Sequence, residues 1–237
     1  MLIQPAFDDP FLLSGITRVD TSILPWPGAS FSITPSASKD HVESSYELLA
    51  SEIGVNRGNI VTVHQVHGTS VVVTDARVDV QADGLVTSTP GIVLGVKLAD
   101  CCGVLLHDPR LRVVAAVHSG WRGTSLNIVE AAIKAMHKHA GSSPDDIRVW
   151  LSPCASGTHY EVGWDVYRVL SAYCKPDGSK WLLDNRAAIT KQCLKAGIPA
   201  ANIGGLDVCT MVDRHWHSYR RDGELSGRML AFIGLRE

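Results

Sequence analysis

The chain has 237 residues and a formal net charge of −2, with 22 Lys and Arg against 24 Asp and Glu. Hydrophobic residues make up 45% and charged residues 19%, which suits a soluble globular protein with a substantial core. This balance argues against nucleic acid or an anionic membrane as partner, and no apolar run reaches the ~20 residues of a membrane span. The acidic start MLIQPAFDDPF does not fit a secretion signal, so a cytoplasmic location is expected. The six cysteines are scattered, with only Cys101 and Cys102 adjoining, and read as reduced thiols rather than a disulfide framework.

Taken in order, residues 11–16 and 30–33 read as short strands on either side of the turn Pro25-Trp26-Pro27-Gly28. Val42, Tyr46, Leu49 and Ile53 then recur at helical spacing, with Ser38 or Asp40 as cap and Gly54 as stop. Residues 60–74, IVTVHQVHGTSVVVT, read as two β-branched arms meeting at His67-Gly68. On an extended strand His64 and His67 point to opposite faces, and only a bulge or bend brings both to one pocket. Residues 82–86 and 92–98 read as further strands.

The centre of the chain is 96–124, VKLADCCGVLLHDPRLRVVAAVHSGWRGT. One apolar run breaks off at Asp100-Cys101-Cys102, and a second delivers His118 into the turn Ser-Gly-Trp-Arg-Gly. The expected helix behind it carries Leu126, Val129, Ile133 and Met136 on one face, Thr124 or Ser125 as cap and Gly141 as stop. Residues 147–151 read as a strand, 165–174 and 185–196 as helices bearing Cys174 and Cys193, and 203–208 and 229–235 as strands. Without repeat or linker, the sequence predicts one mixed α/β (α+β) domain over 1–237, with more than one layer of sheet.

Three segments offer His67, Cys101 and His118 at strand ends or bends beside small residues. Two imidazoles and a thiolate suit zinc and leave a fourth position open. Cys102 rivals Cys101, because strand alternation turns only one of them to a pocket. The same atoms also fit a thiol hydrolase, with Cys101 as nucleophile and His118 as base. Asp100 could transfer protons or orient a ligand. Arg122, at a helix start, suits a phosphate or carboxylate. The loop His215-Trp216-His217-Ser218-Tyr219-Arg220-Arg221 combines stacking surfaces with anion donors, whereas His137 and His139 diverge on a helix and read as surface residues.

Together the motifs Gln65-Val66-His67-Gly68, Ala82-Asp83-Gly84-Leu85-Val86-Thr87, Ala99-Asp100-Cys101, Val117-His118-Ser119-Gly120-Trp121-Arg122-Gly123 and Ser218-Tyr219-Arg220-Arg221-Asp222 have a known counterpart. The chain resembles the YfiH family of laccase-domain proteins, formerly called multicopper polyphenol oxidases. The resemblance implies a four-layer α/β/β/α fold and one zinc ion on His67, Cys101 and His118. It further implies phosphorolysis of adenosine, inosine or methylthioadenosine and deamination of adenosine, with purine nucleoside and phosphate as partners, for which the positions and chemistry of Arg122 and Arg220 suit substrate binding. An amide hydrolase editing cell-wall peptide precursors is the alternative. Copper oxidation is disfavoured, since ten His in all leave few for several copper sites. The sequence departs from the family pattern at Cys102-Gly103 and His217.

Overall fold

The strand and helix signals resolve, over residues 3–237 described by the computed structural model, into fourteen strands and six α-helices. The chain runs β1 (Ile3–Pro5), β2 (Leu12–Thr17), α1 (Lys39–Ile53), β3 (Ile60–Val61), β4 (Val71–Val73), β5 (Gly84–Thr87) and β6 (Val93–Leu98). Next come β7 (Cys102–Asp108), β8 (Val113–Ser119), α2 (Trp121–Ser125), α3 (Ile128–Ala140) and β9 (Arg148–Leu151). The last third holds β10 (Glu161–Val162), α4 (Trp164–Leu170), β11 (Cys174–Asp177), β12 (Lys180–Leu183), α5 (Asn185–Lys195), β13 (Ile203–Gly205), α6 (Tyr219–Asp222) and β14 (Met229–Leu235).

Two mixed sheets, in the orders β1-β2-β14-β6-β3 and β13-β9-β7-β8-β5-β4, build the body, with a small antiparallel sheet β10-β12-β11 beside them. Alternation along the strands sorts side chains into layers. On β8, Val113, Ala115 and Val117 pack among Val129, Met136 and Ile189 of α3 and α5. Val114 and Ala116 instead meet Met229, Ala231 and Ile233 of β14 between the two sheets. On the far side of β14, Leu230 and Phe232 pack on Tyr46 and Leu49 of α1. The order is helix, sheet, sheet, helices: the expected four layers.

The best-marked helix forms as its sequence predicts. Ser38 accepts the His41 N–H at 3.2 Å, and Gly54 ends α1 in the left-handed conformation at φ 74°. Elsewhere the structure corrects the reading. Residues 30–33 form no strand, only bends beside an isolated Thr34–Ala37 bridge. The arms of 60–74 do not pair: β3 lies parallel to β6 in one sheet and β4 parallel to β5 in the other. The segment between them therefore crosses from sheet to sheet and carries His67 into the gap. β7 adds a strand immediately after Cys101 that the reading lacks.

The helix expected behind Thr124 starts earlier and breaks. α2 runs from Gly120 as cap, Asn127 takes φ 60°, and α3 restarts at Ile128. Asn tolerates that conformation better than most residues, and its amide donates to Glu130 at 2.6 Å. Leu126 falls in the break and is 64% exposed, not on the buried face with Val129, Ile133 and Met136. The helix expected over 165–174 ends at Leu170, and Cys174 opens β11. Strand 203–208 shortens to Ile203–Gly205. All six cysteines are free thiols. His137 and His139 lie exposed at the end of α3.

Trp216 and His217 belong to the core rather than to a binding loop. Both are buried, and His217 Nε2 donates to the Ala29 carbonyl at 2.9 Å. Burial pushes the His217 imidazole down from 6.5 to about 4, although the Ala29 bond opposes this. The ring is therefore neutral in the fold, while the unfolded chain takes a proton at pH near 6.5. Stability from this group is complete above that value and is lost as pH falls toward 4, by about 3 kcal/mol in all. Urea unfolding between pH 7 and pH 4 should show this loss, and His217→Gln should flatten it. Identical pH dependence in both proteins would contradict the account.

Candidate metal centre and active-site cavity

Antiparallel register brings two candidate ligands together. β7 pairs with β8 so that Cys102 faces Ser119 and Gly103 faces His118. Cys101 shares the parity of Gly103 and Leu105, and His118 that of Val114 and Ala116, so both turn to the inter-sheet side. Cys102 turns the other way, beneath the helices with Val104 and Leu106. Cys101 alone of the pair lines the cavity at the end of the sheets.

His67 arrives on the crossing segment with φ 60°, and Asp100, before Cys101, has φ 80°. Non-glycine residues held there store strain of order 1 kcal/mol or more unless their surroundings fix them. Asp83 does so for His67. Its fully buried carboxylate accepts the backbone N–H groups of Val66, His67 and Gly68 at 3.2, 2.9 and 2.7 Å. It also accepts from His118 Nδ1 at 2.8 Å, which orients the other ring nitrogen, Nε2, away from it.

One ligand atom each from His67, Cys101 and His118 lies within 4.8 Å of the other two. Among the described residues this is the one such cluster of three or more His, Cys or acidic side chains. Gly120 fits against it: a Cβ there would lie 2.8 Å from Cys101 Sγ and 3.4 Å from the His67 ring. Two imidazoles, one thiolate, a hydrogen-bonded ring and a cradle that a Cβ at Gly120 would fill fit a metal ion of the zinc type.

The charges are tightly linked. Burial raises the Cys101 thiol, but the His118 imidazolium and then His67 outweigh it and pull the thiol down to about 6. Burial likewise opposes the His118 charge, yet Cys101 and Asp83 hold its pKa up at about 9. Asp83 falls to about 2: burial resists, while the His118 bond and the backbone donors prevail. Thiolate is thus available near neutral pH.

The surrounding cavity measures about 690 Å³. Trp121, Tyr160 and Tyr219 give it aromatic walls, and Lys97, Arg122, Arg220 and Arg228 give it positive charge. Arg122 stacks on Trp121 at 4.3 Å and makes no side-chain hydrogen bond among the described residues. Its helix has only five residues, so the guanidinium rather than a helix dipole carries the anion affinity. Arg220 lies 5.0 Å from the Tyr160 ring centre and donates to the Glu161 carbonyl. Asp100 accepts from Thr210 Oγ1 and from the Arg220 N–H, both at 2.7 Å. Its carboxylate thus holds Thr210 and Arg220 and makes no hydrogen bond to His67, Cys101 or His118 among the described residues.

His64 and His67 share the cavity after all, because the chain bends at His67. His64 stands at the rim, held by Asp79 at 2.6 Å. From the polar loop only Tyr219 and Arg220 reach the cavity, while Arg221 is spent on the Thr210 and Trp216 carbonyls. Sequence reasoning gave no role to Asp83, Lys97, Tyr160 or Arg228. Asp83 stood inside a quoted motif, but its partners lie up to 35 residues away.

Comparison with known proteins accords with this geometry. The family model described as multi-copper polyphenol oxidoreductase laccase matches residues 18–236. A purine nucleoside phosphorylase of Deinococcus radiodurans is 34% identical over 194 residues, covering 79% of this chain and 74% of its own. Adenosine deaminase RL5, from an unknown prokaryotic organism, is 33% identical over 208 residues, 79% of this chain and 78% of its own. The crystal structure of the Bacillus licheniformis hypothetical protein YfiH superposes with a TM-score of 0.87 at 24% identity, over 95% of this chain and 93% of that one, and shows the fold. The chain belongs to the laccase-like multi-copper polyphenol oxidoreductase family, the YfiH family that its motifs resemble.

Proposed function

We propose that this chain is a zinc-dependent cytoplasmic enzyme acting on purine nucleosides, with residues 1–237 as one catalytic unit. The convergence of His67, Cys101 and His118 on a cavity with aromatic walls and cationic donors carries this reading. The relatives named purine nucleoside phosphorylase and adenosine deaminase support the substrate class. A soft thiolate with two imidazoles selects zinc over magnesium or calcium, and when bound the ion supplies Lewis-acid polarisation. A multicopper oxidase needs several separate copper sites, and the one three-residue cluster among the described residues does not provide them.

The protein's own groups divide the remaining work. Trp121, Tyr160 and Tyr219 present faces on which a purine can stack. Arg122 and Arg220 hold phosphate near the ribose. In phosphorolysis a phosphate oxygen bonds to C1′ while the C1′–N9 bond breaks, and its electron pair leaves with the purine, which gains a proton. In deamination a water oxygen bonds to C6, and ammonia departs after the amino group takes a proton. Asp100 keeps Arg220 in place through the backbone bond described above.

One observation favours a second reading. Cys101, His118 and Asp83 also form the nucleophile, base and orienting acid of a thiol-dependent amide hydrolase. That enzyme needs no zinc and no phosphate.

Zinc-loaded protein incubated with adenosine separates the cases. Adenine formed only with phosphate establishes phosphorolysis, and inosine with ammonia formed without phosphate establishes deamination. If neither product forms, the nucleoside reading falls. Cys101→Ala should lose both zinc and activity while keeping the fold, and stoichiometric zinc in that variant would overturn the ligand assignment. Asp83→Asn should weaken zinc binding about 10–100-fold, as loss of a partner to a ligating His does. It should also lower stability by about 3 kcal/mol, measured by denaturant unfolding, because buried donors lose their charged acceptor. Wild-type zinc affinity and stability in that variant would contradict the role given to Asp83.

A further inference from the structure

The cavity at the metal centre has an annex. His64 and Lys97 also line a second recess of about 340 Å³, together with Arg57, Thr62, Arg77 and Asp79. The charges in this recess do not cancel. Arg57 is matched, donating to both Glu43 carboxylate oxygens at 3.0 and 3.3 Å and stacking on Tyr46. Asp79, the one acid on the wall, is occupied by His64. Lys97 and Arg77 have no carboxylate partner among the described residues.

Lys97 is half-buried on β6, and its Nζ donates to the Val63 carbonyl at 3.0 Å, which leaves two of its three N–H groups free. Burying an ammonium group without a counter-charge is costly, and the lysine pKa falls accordingly. Arg77 makes no hydrogen bond among the described residues, so its guanidinium fork is free to take two oxygens of one group. Thr62 also lines the recess, its hydroxyl within 3.5 Å of the Tyr46 hydroxyl. Two cations without a carboxylate partner around a small recess suit a tetrahedral dianion.

We infer that this recess binds a phosphoryl group through Lys97 and Arg77, next to the cavity that takes the nucleoside. The inference rests on the nucleoside reading only for what fills that neighbouring cavity. The phosphoryl group has two sources, the 5′-phosphate of a nucleotide or free inorganic phosphate. In the second case the recess, rather than Arg122, seats the co-substrate.

Calorimetric titration of zinc-loaded wild type, Arg77→Ala and Lys97→Met with adenosine, adenosine 5′-monophosphate and inorganic phosphate tests this. For a nucleotide, the monophosphate binds wild type about tenfold or more tighter than adenosine, the usual scale for charge-assisted bonds, and the ratio collapses in both variants. For free phosphate, that advantage is absent, while phosphate binds wild type and weakens by a similar factor in both variants. The inference is overturned if the variants change neither quantity, or if wild type binds neither phosphoryl ligand. Failure of adenosine alone to bind removes the nucleoside reading and leaves the recess standing, since the phosphate titration reads it independently. Unfolding midpoints of the variants monitor the fold, and Lys97→Gln replaces Lys97→Met should the latter unfold early.

Discussion

The site depends on one buried carboxylate. Asp83 ties the crossing segment to the second sheet and orients His118 in the same act, because its two oxygens serve three backbone N–H groups and one imidazole. Its main chain does related work: the Asp83 carbonyl accepts the His118 N–H at 2.7 Å, and its own N–H reaches the Ser70 carbonyl. A buried charge persists only when its donors are fixed. Here the donors are the backbone that carries one candidate ligand and the ring that supplies another. Loss of the carboxylate therefore perturbs fold and chemistry together.

The rest of the cavity follows from where the two sheets end. β7 and β8 are buried on both faces, so the register that places Cys101 beside His118 is set by core packing. Gly120 lets the α2 turn close over them without a Cβ, and the break at Asn127 frees that short helix from the direction of α3. Arg122 consequently faces the cavity stacked on Trp121, with no side-chain hydrogen bond among the described residues. Positive charge is distributed around the opening, with Arg122 and Arg220 near Tyr160, and Lys97 on the wall shared with the second recess.

Elements that announce themselves locally were legible in the sequence. α1 and the end of α3 carry caps and a clean apolar period, and β8 and β14 carry uninterrupted apolar runs. Those signals are properties of neighbouring residues. What escaped depends on distant partners or on unusual turn chemistry. The turn between β6 and β7 uses Asp100 at positive φ, with no glycine to mark it, so β7 was hidden behind an apparent break. The bend at His67, by contrast, was marked by Gly68, and only its role in crossing between sheets was not. The helical pattern carries through to Cys174, whereas Cys174–Asp177 pairs with Lys180–Leu183 in a hairpin that depends on a partner strand. Trp216 and His217 look like ligand-binding residues by type, and only the burial imposed by the N-terminal segment shows them to be core.

The candidate ligands themselves were found because the local pattern places each at the end or bend of a strand, although His67 lies on the crossing segment between β3 and β4. Their grouping, unlike their identity, required the register of β7 against β8 and the crossing between sheets. The most direct measurement of the central claim is anomalous diffraction at the zinc absorption edge from crystals of the protein purified without chelator. The account predicts one strong peak per chain, bounded by His67, Cys101 and His118, with His118 still bonded to Asp83. Zinc bound elsewhere, for instance among Cys154, Cys174 and Cys209, or no zinc peak after saturation with the metal, would contradict it.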